Sequence, residues 1–223
     1  MTGQPVVYVL DDDELVRNSL SCLVRSVGLR AELFATPDEF LAFERSDAPS
    51  CLVLDVRLPG TSGLAFQQRV AKIGLRIPII FMTAFGDVPM SVKAMKAGAT
   101  DFLPKPFRDQ DMLDAISVSL AQDRERILGE QSLAGLHASY ASLTEREKEV
   151  VGYLLAGLMN KQIAKEVRLS EVTVKLYRAR AMKKMGSRTV ADLVLKTTLL
   201  GISPTRHAPL VPKVKRNVGS MAM

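Results

Sequence analysis

The feature that most constrains this chain is a rhythm in its first half. Short runs of β-branched and aliphatic residues alternate there with segments whose apolar residues recur at helical spacing. Val6–Leu10 is the first run. In Glu14–Val27, residues Leu15, Val16, Leu20, Leu23, Val24 and Val27 form a helical stripe that stops at Gly28. A weaker run follows at Arg30–Phe34, and Thr36 ahead of Pro37 has the pattern of a helix cap with proline at the first helical position. Cys51–Asp55, Ile77–Met82 and Asp101–Leu103 complete the strand-like runs. Helical patterns occupy Gly63–Lys72, Val88–Ala97 and the stretch from Arg108 to about Leu128. The strand-like runs are nearly continuous in apolar residues, as expected of strands buried on both faces. Five strands interleaved with five helices predict a parallel sheet covered on both sides.

The second half reads differently. Gly129–Ser142, with Gly129, Gly135 and several Ser and Ala, reads as a linker. Everything from Leu143 is helical in pattern, over Glu145–Ala156, Asn160–Val167, Glu171–Met185 and Thr189–Leu200. The stretch from Gly201, with Pro204, Pro209 and Pro212 and the bases Arg206, Lys213, Lys215 and Arg216, is expected to be a disordered tail. Expected boundaries are thus 5–122 for the first domain, 123–142 for a helical linker, 143–200 for the second domain and 201–223 for the tail. A length of 223 residues suits two domains. The net charge of +6 divides unequally. Residues 1–125 hold 13 Lys and Arg against 17 Asp and Glu, whereas residues 126–223 hold 17 against 7. The basic half is therefore a candidate for binding a polyanion; a solvated basic surface is the plain alternative, and composition alone leaves both open.

Several classes drop out. With 47% hydrophobic and 24% charged residues, collagen-like, coiled-coil and wholly disordered readings fail. The longest apolar run, Ile77–Phe85, is interrupted by Pro78 and Thr83 and falls far short of the ~18 residues a membrane span needs. Val6–Leu10 runs straight into acids and does not read as a signal peptide, so a cytoplasmic protein is expected. Cys22 and Cys51, each in an apolar stretch, read as buried reduced thiols. Two histidines, His137 and His207, without a CxxC or HExxH pattern make a zinc site a poor reading.

In open α/β sheets, ligands gather at the carboxyl ends of the strands. The first run ends in Asp11, Asp12 and Asp13, the third in Asp55, the fourth at Thr83, and the fifth is followed by Lys105. Converging carboxylates repel one another unless a cation joins them, and oxygen ligands with room for water suit Mg²⁺. A lysine and a hydroxyl facing the same cleft would hold an anion. The set is equipped for a phosphoryl group on a carboxylate, with Asp55 as nucleophile. Acids at strand ends also cap helices, and for Asp13 capping is the better reading.

Val9-Leu10-Asp11-Asp12-Asp13, Leu54-Asp55-Val56-Arg57-Leu58-Pro59-Gly60, Met82-Thr83-Ala84 and Lys105-Pro106-Phe107 occur in this order. Residues 5–122 thereby resemble the receiver domain of two-component response regulators. Gly86-Asp87-Val88-Pro89-Met90 and Met95-Lys96-Ala97-Gly98-Ala99 are similar to its FixJ-like branch. The resemblance implies a flavodoxin-like parallel sheet of order 2-1-3-4-5 and phosphorylation of Asp55 by a sensor histidine kinase. It implies Mg²⁺ held by Asp12, Asp55 and the main-chain carbonyl of Arg57, with Asp11 acting largely through a metal-bound water. Lys105 and Thr83 would close on the phosphoryl oxygens, with a cis Lys105–Pro106 bond. Phe102 would move into the space that Thr83 vacates. The output face would be the helix beginning at Asp87, the fifth strand and the fifth helix.

In the basic half, Thr144 followed by Glu147 is a capping box. A short turn, Val167-Arg168-Leu169, precedes a helix capped by Ser170 and carrying Lys175, Arg178, Arg180, Lys183 and Lys184. Its apolar stripe is expected at Val172, Leu176, Ala179 and Met182, with Val174, Ala181 and Met185 filling in. Such a pair of helices places the second in a DNA major groove. Leu143-Thr144-Glu145-Arg146-Glu147, Gly157-Leu158-Met159-Asn160-Lys161-Gln162-Ile163-Ala164 and Ser170-Glu171-Val172-Thr173-Val174-Lys175 resemble the LuxR/FixJ four-helix DNA-binding domain. That likeness implies that Lys175, Leu176 and Ala179 face bases, while Asn160, Lys161, Thr173 and Arg178 lie near phosphates. Arg180 and Lys183 would add phosphate attraction. Arg168 stands where the family usually has glycine; either a left-handed backbone costs it roughly 1 kcal/mol, or its side chain reaches a phosphate.

The whole resembles a NarL/FixJ-class response regulator: an α/β receiver followed by an all-α helix-turn-helix domain. The implied partners are a sensor kinase, promoter DNA, a second copy on phosphorylation, and RNA polymerase, with no membrane. Two rivals remain. A Mg²⁺-dependent carboxylate-nucleophile phosphohydrolase would want an acid two residues after Asp55, where Arg57 stands. A receiver acting through RNA or protein partners would favour stacking aromatics, and the basic half offers Tyr140, Tyr153 and Tyr177.

Overall fold

A computed structural model describes residues 3–84 and 88–205. The chain divides into two compact units, residues 1–130 and 131–223. In the first unit the chain runs β1 (Val6–Leu10), α1 (Glu14–Ser26), β2 (Arg30–Phe34), α2 (Pro37–Ala42) and β3 (Ser50–Asp55). A two-residue hairpin follows, β4 (Arg57–Leu58) and β5 (Thr61–Ser62). Next come α3 (Gly63–Lys72), β6 (Ile79–Thr83), α4 (Val88–Lys96), β7 (Asp101–Pro104) and α5 (Asp109–Ala141). The five long strands are all parallel, in the order β2-β1-β3-β6-β7. With the small hairpin set aside, this is the expected 2-1-3-4-5.

Burial explains the strand sequences. All residues of the inner strands β1 and β6 are buried, and so are the last five of β3, whereas edge strands β2 and β7 carry exposed or half-buried positions. Tyr8, Leu10, Leu52, Leu54 and Phe81 face one layer with Phe40 of α2, Phe66 and Val70 of α3 and Ala94 of α4. Val7, Val9, Val53, Ile80 and Met82 face the other, with Leu20 and Val24 of α1 and Met112, Ala115 and Ile116 of α5. Asp13 caps α1 by accepting from the Leu15 N–H at 2.8 Å, Thr36 caps α2 and Pro37 opens it, as expected. Cys51 is buried, but Cys22 is exposed. The buried side of α1 is set by Leu20 and Val24, and Cys22, two residues from each, falls on the outer side.

The second unit contains α6 (Glu145–Leu155), α7 (Asn160–Glu166), α8 (Glu171–Lys184) and α9 (Val190–Leu199). They enclose Val150, Val151, Ile163, Val174, Ala181, Met185 and Leu193, with Leu136 and Tyr140 of α5 packed alongside. Gly129–Ser142, within the expected helical linker, is helical almost throughout, because α5 continues unbroken to Ala141. The stripe expected on α8 is corrected. Val174, Ala181 and Met185 are buried and Tyr177 and Met182 half-buried, while Val172 and Leu176 are 76% and 48% exposed and Ala179 is exposed. The inward face thus lies two positions round from the expected one. At the end of α9 the Thr205 N–H donates to the Gly152 carbonyl at 3.1 Å, so residues 201–205 of the expected tail return to α6. Residues 206–223 of that tail lie outside the described residues, as do Gly86 and Asp87 ahead of α4.

Candidate functional site

The acidic pocket forms at the carboxyl edge of the sheet, where β1, β3, β6 and β7 end side by side. Asp11 follows β1 and Asp55 ends β3, and both are buried. Gly63 opens α3 hard against the end of β3; a Cβ there would collide with the Asp55 carbonyl, so only glycine admits this approach. The Lys105 ammonium lies between the two acids, donating to Asp11 Oδ2 at 2.7 Å and Asp55 Oδ1 at 2.9 Å. The other oxygens accept main-chain hydrogens: Asp11 Oδ1 from Asp13 at 2.9 Å and Asp55 Oδ2 from Arg57 at 2.6 Å. Burial pushes the Asp55 carboxyl above its ordinary range, opposed by the hydrogen bond and charge of Lys105 and by the Arg57 N–H. For Lys105, burial acts to lower the ammonium pKa, but bonds to Asp11 and Asp55 outweigh it and the net shift is upward. Two buried carboxylates thus converge on one ammonium, an arrangement that a divalent cation would further neutralise.

The expected residues arrive together with one qualification. Thr83 is buried at the end of β6, and its carbonyl accepts from the Lys105 N–H at 2.7 Å. The Lys105–Pro106 bond is cis. Phe102 is half-buried on β7 with its ring 6.3 Å from that of Phe81, the position of a core aromatic at the sheet edge. Asp12 is exposed, and among the described residues no three His, Cys, Asp or Glu side chains meet where they could share a metal ion. The donors nevertheless fit a hard divalent cation: carboxylates of Asp11 and Asp55, the neighbouring Asp12 and main-chain carbonyls, in a pocket of surplus negative charge. Sequence reasoning missed Arg17, whose guanidinium donates to the Asp11 carbonyl at 2.7 Å from the first turns of α1. The signal available was a cation one helical turn beyond the Asp13 cap.

In the second unit, the capping box predicted at Thr144 is present, and Glu147 is further held by the Lys184 ammonium at 2.7 Å. Lys184 is therefore tied to the core of the unit, also donating to the Ser142 carbonyl at 3.0 Å. Ser170 caps α8 by accepting from the Thr173 N–H, and the Thr173 hydroxyl lies 2.8 Å from that of Ser170. Between α7 and α8, Arg168 has φ 53°, the left-handed geometry expected where a glycine is usual. Arg178 is half-buried and donates to Asn160 Oδ1 at 3.3 Å, joining α8 to the start of α7. Its Nε is buried without a hydrogen-bond partner among the described residues. Lys161, Lys175, Leu176, Ala179, Arg180 and Lys183 are all exposed, and Lys175 pairs with Glu171 at 3.1 Å one turn away. The geometry is a basic helix projecting from a packed base, with its predecessor locked to it.

Comparison with known proteins agrees with this geometry. Residues 7–117 match the family described as the response regulator receiver domain, and residues 141–197 match the bacterial regulatory proteins of the luxR family. Nodulation protein W of Bradyrhizobium diazoefficiens is 49% identical over 198 residues, covering 89% of this chain and 87% of the relative. The transcriptional regulatory protein FixJ of Azorhizobium caulinodans is 39% identical, covering 91% and 96%. Among solved structures, the response regulator StyR matches with a TM-score of 0.80 and 45% identity, over 88% of this chain and all of that one. Full-length FixJ from B. japonicum matches with a TM-score of 0.53 and 37% identity, over 90% and 98%.

Proposed function

This chain belongs to the NarL/FixJ family of response regulators, phosphorylation-controlled DNA-binding regulators of transcription, and from that premise we propose that Asp55 is its phosphoryl acceptor and α8 its reading helix. The observation that carries the reading is the Lys105 ammonium bonded to both Asp11 and Asp55, on the same chain as an exposed basic helix.

The Asp55 carboxylate is made more basic by burial, with Lys105 and the Arg57 N–H opposing that rise by favouring the ionised form. A phosphohistidine of a sensor kinase is the proposed donor. Its P–N bond breaks as a P–O bond to Asp55 forms, and the imidazole leaves with the electron pair and takes a proton. Asp12, Asp55 and the Arg57 carbonyl, with Asp11 beside them, would hold Mg²⁺, which would supply neutralising charge to the phosphoryl group. Lys105 then exchanges a carboxylate partner for a phosphoryl oxygen, and the Thr83 hydroxyl turns to donate to another. Phosphorylation places about −1.5 to −2 charges at one point. A few charge-assisted contacts supply the several kcal/mol that a two-state switch needs. Phe102 follows Thr83, and the face formed by α4, β7 and α5 pairs two copies. Two α8 helices then occupy adjacent half-sites on promoter DNA, within reach of RNA polymerase. A cytoplasmic location suits these partners; among the described residues no helix is long and apolar enough to cross a membrane.

Asp55→Asn is expected to abolish labelling by a small phosphodonor such as acetyl phosphate. Persistent labelling elsewhere on the chain would remove the assignment.

A further inference from the structure

The exposed face of α8 has a character that basic charge does not account for. Val172 is 76% exposed, Leu176 is 48% exposed and Ala179 is exposed. The three stand at i, i+4 and i+7, so they form one outward apolar track parallel to the buried track of Val174, Ala181 and Met185. Single exposed apolar residues are ordinary. A register of three on one helix, flanked by Lys175, Arg180 and Lys183, marks a surface whose partner is both anionic and locally apolar. Duplex DNA has that chemistry: phosphates at the groove edges and the thymine C5 methyl on the major-groove floor. The lengths agree as well. Seven residues of helix advance about 10 Å, and three base-pair steps advance about the same.

Hydrogen-bonding capacity is small over the first two turns of this face, and Arg180 and Lys183 follow beyond Ala179. In the stretch Val172, Lys175, Leu176 and Ala179, Lys175 is the single side chain that donates, and Glu171 holds it at 3.1 Å. Arg178, which could otherwise read a guanine, is half-buried and turned to Asn160.

We propose that Val172, Leu176 and Ala179 form a thymine-methyl reader, so that the chain selects its site largely by apolar contact with thymines, and that Val172 is a specificity-determining residue. The inference rests on the reading of α8 as the DNA-contacting helix and adds what that helix recognises. Its cost structure is distinctive. Each methyl buried is worth roughly a four-fold gain in affinity, so discrimination accumulates over several thymines instead of residing in one bidentate contact.

The test uses the full chain in the presence of Mg²⁺ and beryllofluoride. Preferred duplexes are selected from a random double-stranded pool, and the best site is resynthesised with deoxyuridine replacing thymidine one position at a time, which removes only the methyl. At two or more positions per half-site, affinity is expected to fall three- to five-fold. Val172→Ala is expected to bind thymine and uracil alike at one of those positions while keeping the discrimination at the others. Because Val172 is exposed, its circular dichroism and melting should match the parent, and Val172→Ser should behave in the same way. Uniform indifference to uracil overturns the proposal, as does a thymine preference unchanged at every position in Val172→Ala. Failure to enrich any duplex overturns the DNA reading itself, and the inference falls with it.

Discussion

At the scale of single residues, the same type of group serves opposite ends in the two units. Asp55, the proposed phosphoryl acceptor, is buried, and burial pushes its carboxyl up against the opposing pull of Lys105 and the Arg57 N–H. Glu147, 2% exposed, is buried so as to be inert. Burial acts to raise its carboxyl, but the Lys184 hydrogen bond and the Thr144 N–H and hydroxyl outweigh it and hold the group below its ordinary range. The sign of the pH effect follows. Between the lowered folded pKa and the unfolded one, the unfolded chain binds more protons, so stability rises with pH there. The contribution of Glu147 is complete above the ordinary carboxylate range and is lost as pH falls through the folded value. Glu147→Gln keeps an acceptor for the Thr144 N–H but loses the charge opposite Lys184, whose side chain is 35% exposed. The expected cost at neutral pH is about 1–2 kcal/mol, reduced from that of a fully buried pair by solvent screening. Urea unfolding followed by tyrosine emission should show it, since Tyr140, Tyr153 and Tyr177 pack in this unit. The gap between parent and variant should close as the buffer is taken below the ordinary carboxylate range and through the lowered folded value; a gap independent of pH would refute the ion pair.

Elements show where the sequence was readable and where it was not. Strands β1, β3 and β6 were legible because being buried on both faces leaves only apolar residues to choose from. Caps at Asp13, Thr36, Thr144 and Ser170 were legible because one side-chain oxygen must satisfy a main-chain N–H at a fixed offset. Pocket residues Asp11, Asp55, Thr83 and Lys105 were legible because strand ends fix their positions. The apolar stripe of α8 was misplaced because this helix carries apolar residues on both faces, so periodicity alone selects neither. The hairpin β4–β5 escaped because its strands have two residues each. Arg17 escaped because its partner is a main-chain carbonyl, so that its place one turn beyond the Asp13 cap was the single hint. At the turn between α7 and α8, Arg168 was read correctly from a missing glycine, and its φ of 53° has a consequence. Arg168→Gly removes the left-handed penalty but gives the unfolded chain more freedom. A net gain of about 0.5–1 kcal/mol in the stability of the second unit is expected. An equal or lower urea midpoint would mean that the arginine is held by contacts stronger than the strain.

For the whole molecule, the charge division poses a problem that restricts how the switch works. Residues 1–125 carry a surplus of acid, and residues 126–223 a surplus of base. Phosphorylation at the proposed acceptor, Asp55, would make the acidic half more negative by about 1.5–2 charges. Acting through the field alone, that change would weaken attraction to DNA, not strengthen it. An increase in affinity must therefore come from assembly or from uncovering the basic helix, and salt distinguishes the two. The slope of log K against log salt counts phosphates neutralised, at about 0.9 per contact. Pairing two copies doubles the exposed cations presented by Lys161, Lys175, Arg180 and Lys183, whereas uncovering one copy leaves their number unchanged. With Mg²⁺ and beryllofluoride present, the slope measured on a site containing two half-sites is expected to be about twice that of the untreated protein. On a single half-site the two slopes should coincide. Lys161→Ala should lower the treated slope by about 1.8, one contact from each copy, and the untreated slope by about 0.9. A tighter but unsteepened curve on the double site would refute pairing and assign the gain to release of a single helix.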